Sequence, residues 1–214
     1  MKKFLNNSFV DVSVKGDMHI IDMFSLWSWK KTLSVWENSH LTYLIVAKST
    51  HLDVCVEMVW AHSSCQLFAL VVSEKEPMNM KLITHIAHSS VQVEKRIVSL
   101  LWEGGKISVD AHIDIHEWIK QVVAHLLEEN IIFGQHISVA SLPSLSVASH
   151  DVQASHGAKI EKINQEKLFY MQAKWLSYHR AQTLVVDGYV NEILSHFDMF
   201  SDKELSSIKD FVQL

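Results

Sequence analysis

Between about Leu41 and Ile163 hydrophobic and polar residues alternate with a period of two, the signature of strands with one buried face. In "LDVCVEMVWA" Leu52, Val54, Val56, Met58 and Trp60 alternate with Asp53, Cys55, Glu57 and Val59. In "VQVEKRIVSLLWEGGKISVDAHIDI" two such runs are joined by a turn at Glu103–Gly105, and "HISVASLPSLSV" changes phase near Leu142 and Pro143, which predicts a corner there. Six or more strands thus follow one another with few Asn-Gly or Asp-Gly dipeptides and only six glycines in the chain. Tight hairpins usually need such residues, so the pattern favours a sheet built from broad corners and leaves solenoids, sandwiches and cupin-like barrels open.

After Ile163 the period becomes helical. Asn164 is placed to cap a short helix containing Leu168 and Phe169; Ser177 caps a longer one through Ala181, Leu184, Val185, Tyr189 and Ile193; Ser201 with Glu204 forms a capping box for a third. The expected organisation is an aromatic-rich segment at 1–40, open to a strand, an edge cover or an interface patch around Phe24, Trp27, Trp29 and Trp36, then a β domain at 41–163 and a helical unit at 164–214.

Composition narrows the function classes. The 214 residues suffice for one sizeable core, and a hydrophobic fraction of 48% with 20% charged residues is ordinary for a folded domain. A net charge of -5 without a dense basic run argues against nucleic acid as a partner. The opening "MKKFL" imitates a signal peptide, but Asn6 and Asp11 interrupt any apolar core, and no stretch approaches the roughly 18 apolar residues that span a bilayer. The reading is a cytoplasmic chain with no membrane partner. Cys55 and Cys65 are too few and too far apart for a disulfide framework or a zinc ribbon, so metal chemistry would have to draw on the fourteen histidines and the carboxylates.

In "AHIDIHEW" His112, Asp114 and His116 fall on one strand face, a two-histidine, one-carboxylate set that suggests a small metal-dependent β-barrel enzyme. His85 and His88, three apart, fall on opposite faces and are not expected to chelate one ion. In "DVQASHGA" Ser155 and His156 also point apart, which excludes them as a nucleophile and base pair, while His156 shares a face with Val152, Ala154 and Ala158.

Residues 143–194 carry a more specific signal: Pro143 and Leu145, then Asp151-Val152, Ser155-His156-Gly157-Ala158, Leu168-Phe169-Tyr170, and Ala181, Leu184, Gly188 and Tyr189, in that order. This series resembles the C-terminal part of the SufB/SufD family of iron-sulfur cluster assembly scaffold proteins. A looser likeness extends it to about residues 50–197. The histidine at 156, and the lack of a cysteine nearby, resemble the SufD branch. Lys174 and Trp175 depart from the family's Arg-Gly.

The resemblance implies a mainly β fold, a right-handed parallel β-helix followed by a small C-terminal α-helical unit, in a member shortened at its N-terminus. It implies a non-catalytic scaffold that pairs through its β-helix with a SufB-like subunit or a second copy, and that shares a transient iron-sulfur cluster near His156. A SufC-like ABC ATPase would dock on the helices through Leu168, Phe169, Tyr170, Ala181, Val185, Gly188 and Tyr189. The chain has no phosphate-binding loop of its own. A cofactor-free β-helix interaction protein is the remaining reading.

Overall fold

In the computed structural model, which describes residues 2–6 and 10–212, the chain winds back and forth between two parallel sheets. The strands are β1 (Lys2–Leu5), β2 (Asp11–Val14), β3 (Asp17–Ser25), β4 (Ser28–Val35), β5 (His40–Lys48), β6 (His51–Met58), β7 (Ser64–Ser73), β8 (Pro77–Ile86), β9 (Gln92–Leu101), β10 (Lys106–Ile115), β11 (Lys120–Ile132), β12 (Ser138–Val147) and β13 (Asp151–Lys162). The odd strands form a seven-stranded sheet in the order β1-β3-β5-β7-β9-β11-β13, and the even strands a six-stranded sheet in the order β12-β10-β8-β6-β4-β2. Every recorded pairing is parallel, so the β region is a parallel β-helix.

The coils widen along the chain. Stacked neighbours His40 and Ser64 are 24 residues apart in sequence, Gln66 and Glu94 28, and His125 and Ser155 30. Corners are turned by residues with positive φ, among them Asn38, His62, Ser90 and Gly104, which explains how so few glycines suffice. The "EGG" turn falls between β9 and β10 and carries the chain from one sheet to the other instead of closing a hairpin.

One expectation is corrected here. Leu142 and Pro143 lie inside the single strand β12, not at a corner; proline is tolerated because β12 is an edge strand. The aromatic-rich segment 1–40, for which the sequence leaves a strand, an edge cover or an interface patch open, contributes β1 to β4.

Alternation places Val54, Val56, Leu67, Ala69, Leu82, Val109, Ile113 and Ala124 in one apolar core between the sheets. The other face of the seven-stranded sheet is apolar in the later part of its strands, where Leu44, Val46, Phe68, Leu70, Val72, Val98 and Leu100 are buried. Three helices cover it: α1 (Gln165–Ala173), α2 (Tyr178–Leu194) and α3 (Asp202–Val212), with a 3-10 turn at Ser195–Phe197 before the last.

The helices begin where their caps predict. The Asn164 side chain accepts from the amides of Glu166 and Lys167 (2.8 and 3.1 Å), and Ser177 accepts from Arg180. Ser201 and Glu204 form the reciprocal box, the Ser201 amide donating to Glu204 at 2.7 Å and the Glu204 amide to Ser201 Oγ at 3.4 Å. Arg96 of β9 joins helix to sheet, its guanidinium donating to Glu129 at 2.9 Å and to Glu192 of α2 at 2.6 Å. No described helix is long and apolar enough to cross a membrane.

Candidate functional site

The β-helix ends in an uncovered coil. Among the described residues β12 and β13 each have a hydrogen-bonded neighbour on one side only, and every residue of the two strands is partly or fully exposed, including Leu142, Val147 and Ile160. Exposed edges with apolar inner positions are points where a further strand can add.

His156 lies on this coil. Val152 and Ala154 pack against the inner core, so strand alternation also turns the exposed His156 to the inner side, opposite Leu126 in the register. Ser155 turns outward instead and meets His125 of β11, with Nδ1 and Oγ 2.7 Å apart.

Polar side chains also enter the interior of the β-helix. Lys95 of β9 is buried and donates to the carbonyls of Leu82 and His112 on the opposite sheet, at 3.1 and 2.9 Å. Burial pulls its ammonium down to about 7. Glu128 of β11, also inward and buried, accepts from Ser141 of β12, and burial pushes its carboxyl up to about 7. Cys65, buried on β7, has its thiol pushed up to about 12 by burial, so at neutral pH it is a protonated thiol and a poor nucleophile. Thr84, Ser99 and Asn130 extend this polar set with side-chain groups that lack a hydrogen-bond partner among the described residues.

On the outer face of the six-stranded sheet the expected set of His112, Asp114 and His116 is not assembled. His112 turns to the next strand, its Nδ1 2.8 Å from Ser144 Oγ and its Nε2 3.3 Å from Ser146 Oγ. Its place beside Asp114 is taken by His85 of β8, whose Nδ1 is 3.2 Å from Asp114 Oδ2, with His116 Nε2 3.4 Å from the same oxygen. The pattern along one strand could not show this, because His85 reaches Asp114 through the register between strands.

The helical residues divide sharply. Leu168 and Ala181 are buried in the helix-sheet core, where they hold α1 and α2 to the β-helix and cannot touch a partner. Val185 and Tyr189 are half-buried against the same core, and Gly188 is exposed. Phe169 and Tyr170 are 73% and 65% exposed, and Trp175, which sequence reasoning noted only as a departure, is 98% exposed. With Tyr178 and Leu184 they supply the exposed large apolar side chains of α1, α2 and the link between them.

Matches to known proteins extend over the last coil and most of the first two helices. A family model described as SUF system FeS cluster assembly, SufBD core domain, matches residues 31–189. The chain is 25% identical over 105 residues to the iron-sulfur cluster assembly protein SufD of Escherichia coli, covering 49% of this chain and 24% of that protein. It is 25% identical over 116 residues to protein ABCI7 of Arabidopsis thaliana chloroplasts, covering 54% and 24%. A match to an iron-sulfur cluster assembly SufBD family protein of Staphylococcus saprophyticus runs through 97% of this chain and 47% of the relative, at 19% identity. The chain therefore spans between about a quarter and a half of the length of these relatives.

Proposed function

We propose that this chain, which belongs to the SufBD family of the SUF iron-sulfur cluster assembly system, is a cytoplasmic, non-catalytic SufD-like scaffold subunit that pairs through the open end of its β-helix. The observation that carries the reading is the uncovered last coil, with both edge strands available and His156 on its inner side. A SufB-like subunit, or a second copy of the chain, would continue the sheets across β12 and β13 and enclose the ground around His156.

In that setting the nascent cluster is cargo held between subunits. His156 can offer a neutral imidazole nitrogen to iron. Exchange of His156 for alanine is expected to lower the yield of cluster assembled with the partner subunit at least about tenfold, as loss of a contact near a metal centre does. Its exposure means that the melting temperature should stay within about 2 °C. Reconstitution followed by iron and sulfide determination checks this, and an unchanged yield would remove His156 from cluster handling.

An ABC-type ATPase is the partner proposed for α1 and α2, because Phe169, Tyr170 and Trp175 leave more apolar surface in water than folding requires. Replacing Phe169 and Tyr170 together by alanine should weaken ATPase binding by about 2 kcal/mol or more, on the order of 30-fold, without loss of helix content. Leu168→Ala is no substitute for that test. Its side chain is buried, so it would act by destabilising the fold.

A further inference from the structure

The outer face of the six-stranded sheet holds a group of ligands that the scaffold reading does not use. Register aligns Glu57, His85, Asp114 and Ser146 across β6, β8, β10 and β12, and His116 follows directly after β10. The backbone fixes this geometry: the His116 amide donates to the Ile86 carbonyl at 3.0 Å, which ties the residue after one strand to the end of its neighbour. His85 and His116 meet at 71° with ring centroids 6.5 Å apart, so they approach Asp114 from two directions.

The distances match a metal polyhedron. Two nitrogens and an oxygen each about 2.0–2.1 Å from a tetrahedral ion are about 3.3 Å from one another. Here Nδ1 of His85 and Nε2 of His116 lie 3.2 and 3.4 Å from Asp114 Oδ2, and one ligand atom from each residue lies within 4.8 Å of the others. A small inward movement of one imidazole would complete the triangle. The side chains are 41%, 31% and 51% exposed for His85, Asp114 and His116, so an ion can enter from solvent.

We propose that His85, Asp114 and His116 bind a divalent first-row transition ion, with one coordination position left to water or to an incoming ligand. Two imidazoles and one carboxylate suit zinc or ferrous iron better than calcium or magnesium, which prefer all-oxygen shells. Three protein ligands leave a position for water or a further ligand, in contrast to the closed four-ligand shell of a structural zinc. The site lies on the sheet that the helices leave uncovered, and the inference does not depend on the partners proposed above.

Zinc titration of the untagged full chain by calorimetry tests it, with cobalt absorption as a second readout. One equivalent should bind, with affinity at least tenfold weaker in each of His85→Ala, Asp114→Ala and His116→Ala. His112→Ala, on the same face but directed to Ser144 and Ser146, should leave the affinity unchanged. Cobalt should give the strong visible bands of a low-coordinate site in the wild type and in His112→Ala only. Circular dichroism should show all four variants folded, since every changed side chain is at least partly exposed. Absence of zinc binding, persistence of full affinity in any of the three ligand variants, or an equal loss in His112→Ala would overturn the assignment.

Discussion

Replacing Asp22 by alanine is expected to destabilise the protein by about 3–5 kcal/mol, the usual consequence of removing one partner from a buried ion pair. Asp22 on β3 and Lys31 on β4 face each other between the sheets, with side chains 2% and 3% exposed and Nζ 2.5 Å from Oδ2. The hydroxyl of Tyr43, fully buried on β5, donates to the same oxygen at 3.0 Å. Burial and the adjacent carboxylate together hold that phenol well above its usual range. The substitution takes the Asp22 carboxylate away from a buried ammonium in a low-dielectric interior.

For a chain of this size each kcal/mol lowers the melting temperature by about 2–4 °C, so the loss is roughly 6–20 °C. The double variant Asp22→Leu with Lys31→Met should recover part of it, because apolar residues of similar volume remove the desolvation cost of both charges while the buried Tyr43 hydroxyl still loses this acceptor. Denaturant titration of both single variants and the double variant measures the coupling. A single-variant loss below about 1 kcal/mol would show that the pair does not support this coil.

Lys95→Met is expected to stabilise the protein in acid and neutral solution and to lose that advantage in alkali. The folded state holds the Lys95 ammonium at about 7 against the usual 10.5. Below pH 7 both states carry the proton and the full cost of burying the charge is present. Between pH 7 and 10.5 only the unfolded chain keeps the proton, so wild-type stability rises through that window.

The shift corresponds to a cost on the order of 5 kcal/mol at pH 6. Against it stand the hydrogen bonds to the carbonyls of Leu82 and His112, worth about 1 kcal/mol each. The net gain from methionine is therefore about 2–3 kcal/mol at pH 6, falling to nothing or reversing near pH 10. Glu128 has the opposite sign. Its folded carboxyl is raised to about 7, so its contribution is fully present below about pH 4.5 and is lost as pH rises through 7. Melting temperatures of wild type and Lys95→Met across pH 5–10 separate the two groups. A stability difference that does not vary with pH would mean that Lys95 keeps its ordinary protonation behaviour inside the fold.

Much of the architecture is legible in the residues because the β-helix repeats a simple rule. Leu52, Val54, Val56 and Met58 announce an inner face, and each is buried where alternation places it. Asn164, Ser177 and Ser201 mark three helix starts because a cap needs only its own side chain and the next turn. The doubly covered part of the seven-stranded sheet also leaves a trace in "YLIVA" and "LFALVV". These runs are apolar without alternation, because the helices bury the outer positions as well.

What alternation cannot express is which residues of different coils become neighbours. The partner of Asp114 is His85, a whole coil away, and the partner of Ser155 is His125. Both depend on coil length, which changes along the chain, so a search restricted to one strand selects His112 instead. Pro143 misled for a related reason. Proline disfavours a central strand, and only the sheet order reveals that β12 is an edge. The family resemblance puts Leu168 and Ala181 in one docking set with Phe169 and Tyr170; the sheet beneath α1 and α2 claims the first two and leaves the others in water.

The central claim, that the chain is a scaffold subunit in cluster assembly, is tested most directly by capture of the untruncated protein from its native cell extract with identification of the bound chains and iron. The account predicts a SufB-like subunit and an ABC-type ATPase in stoichiometric amounts, with the ATPase lost selectively when Phe169 and Tyr170 are changed to alanine. Recovery of the chain with neither partner and no iron would contradict it.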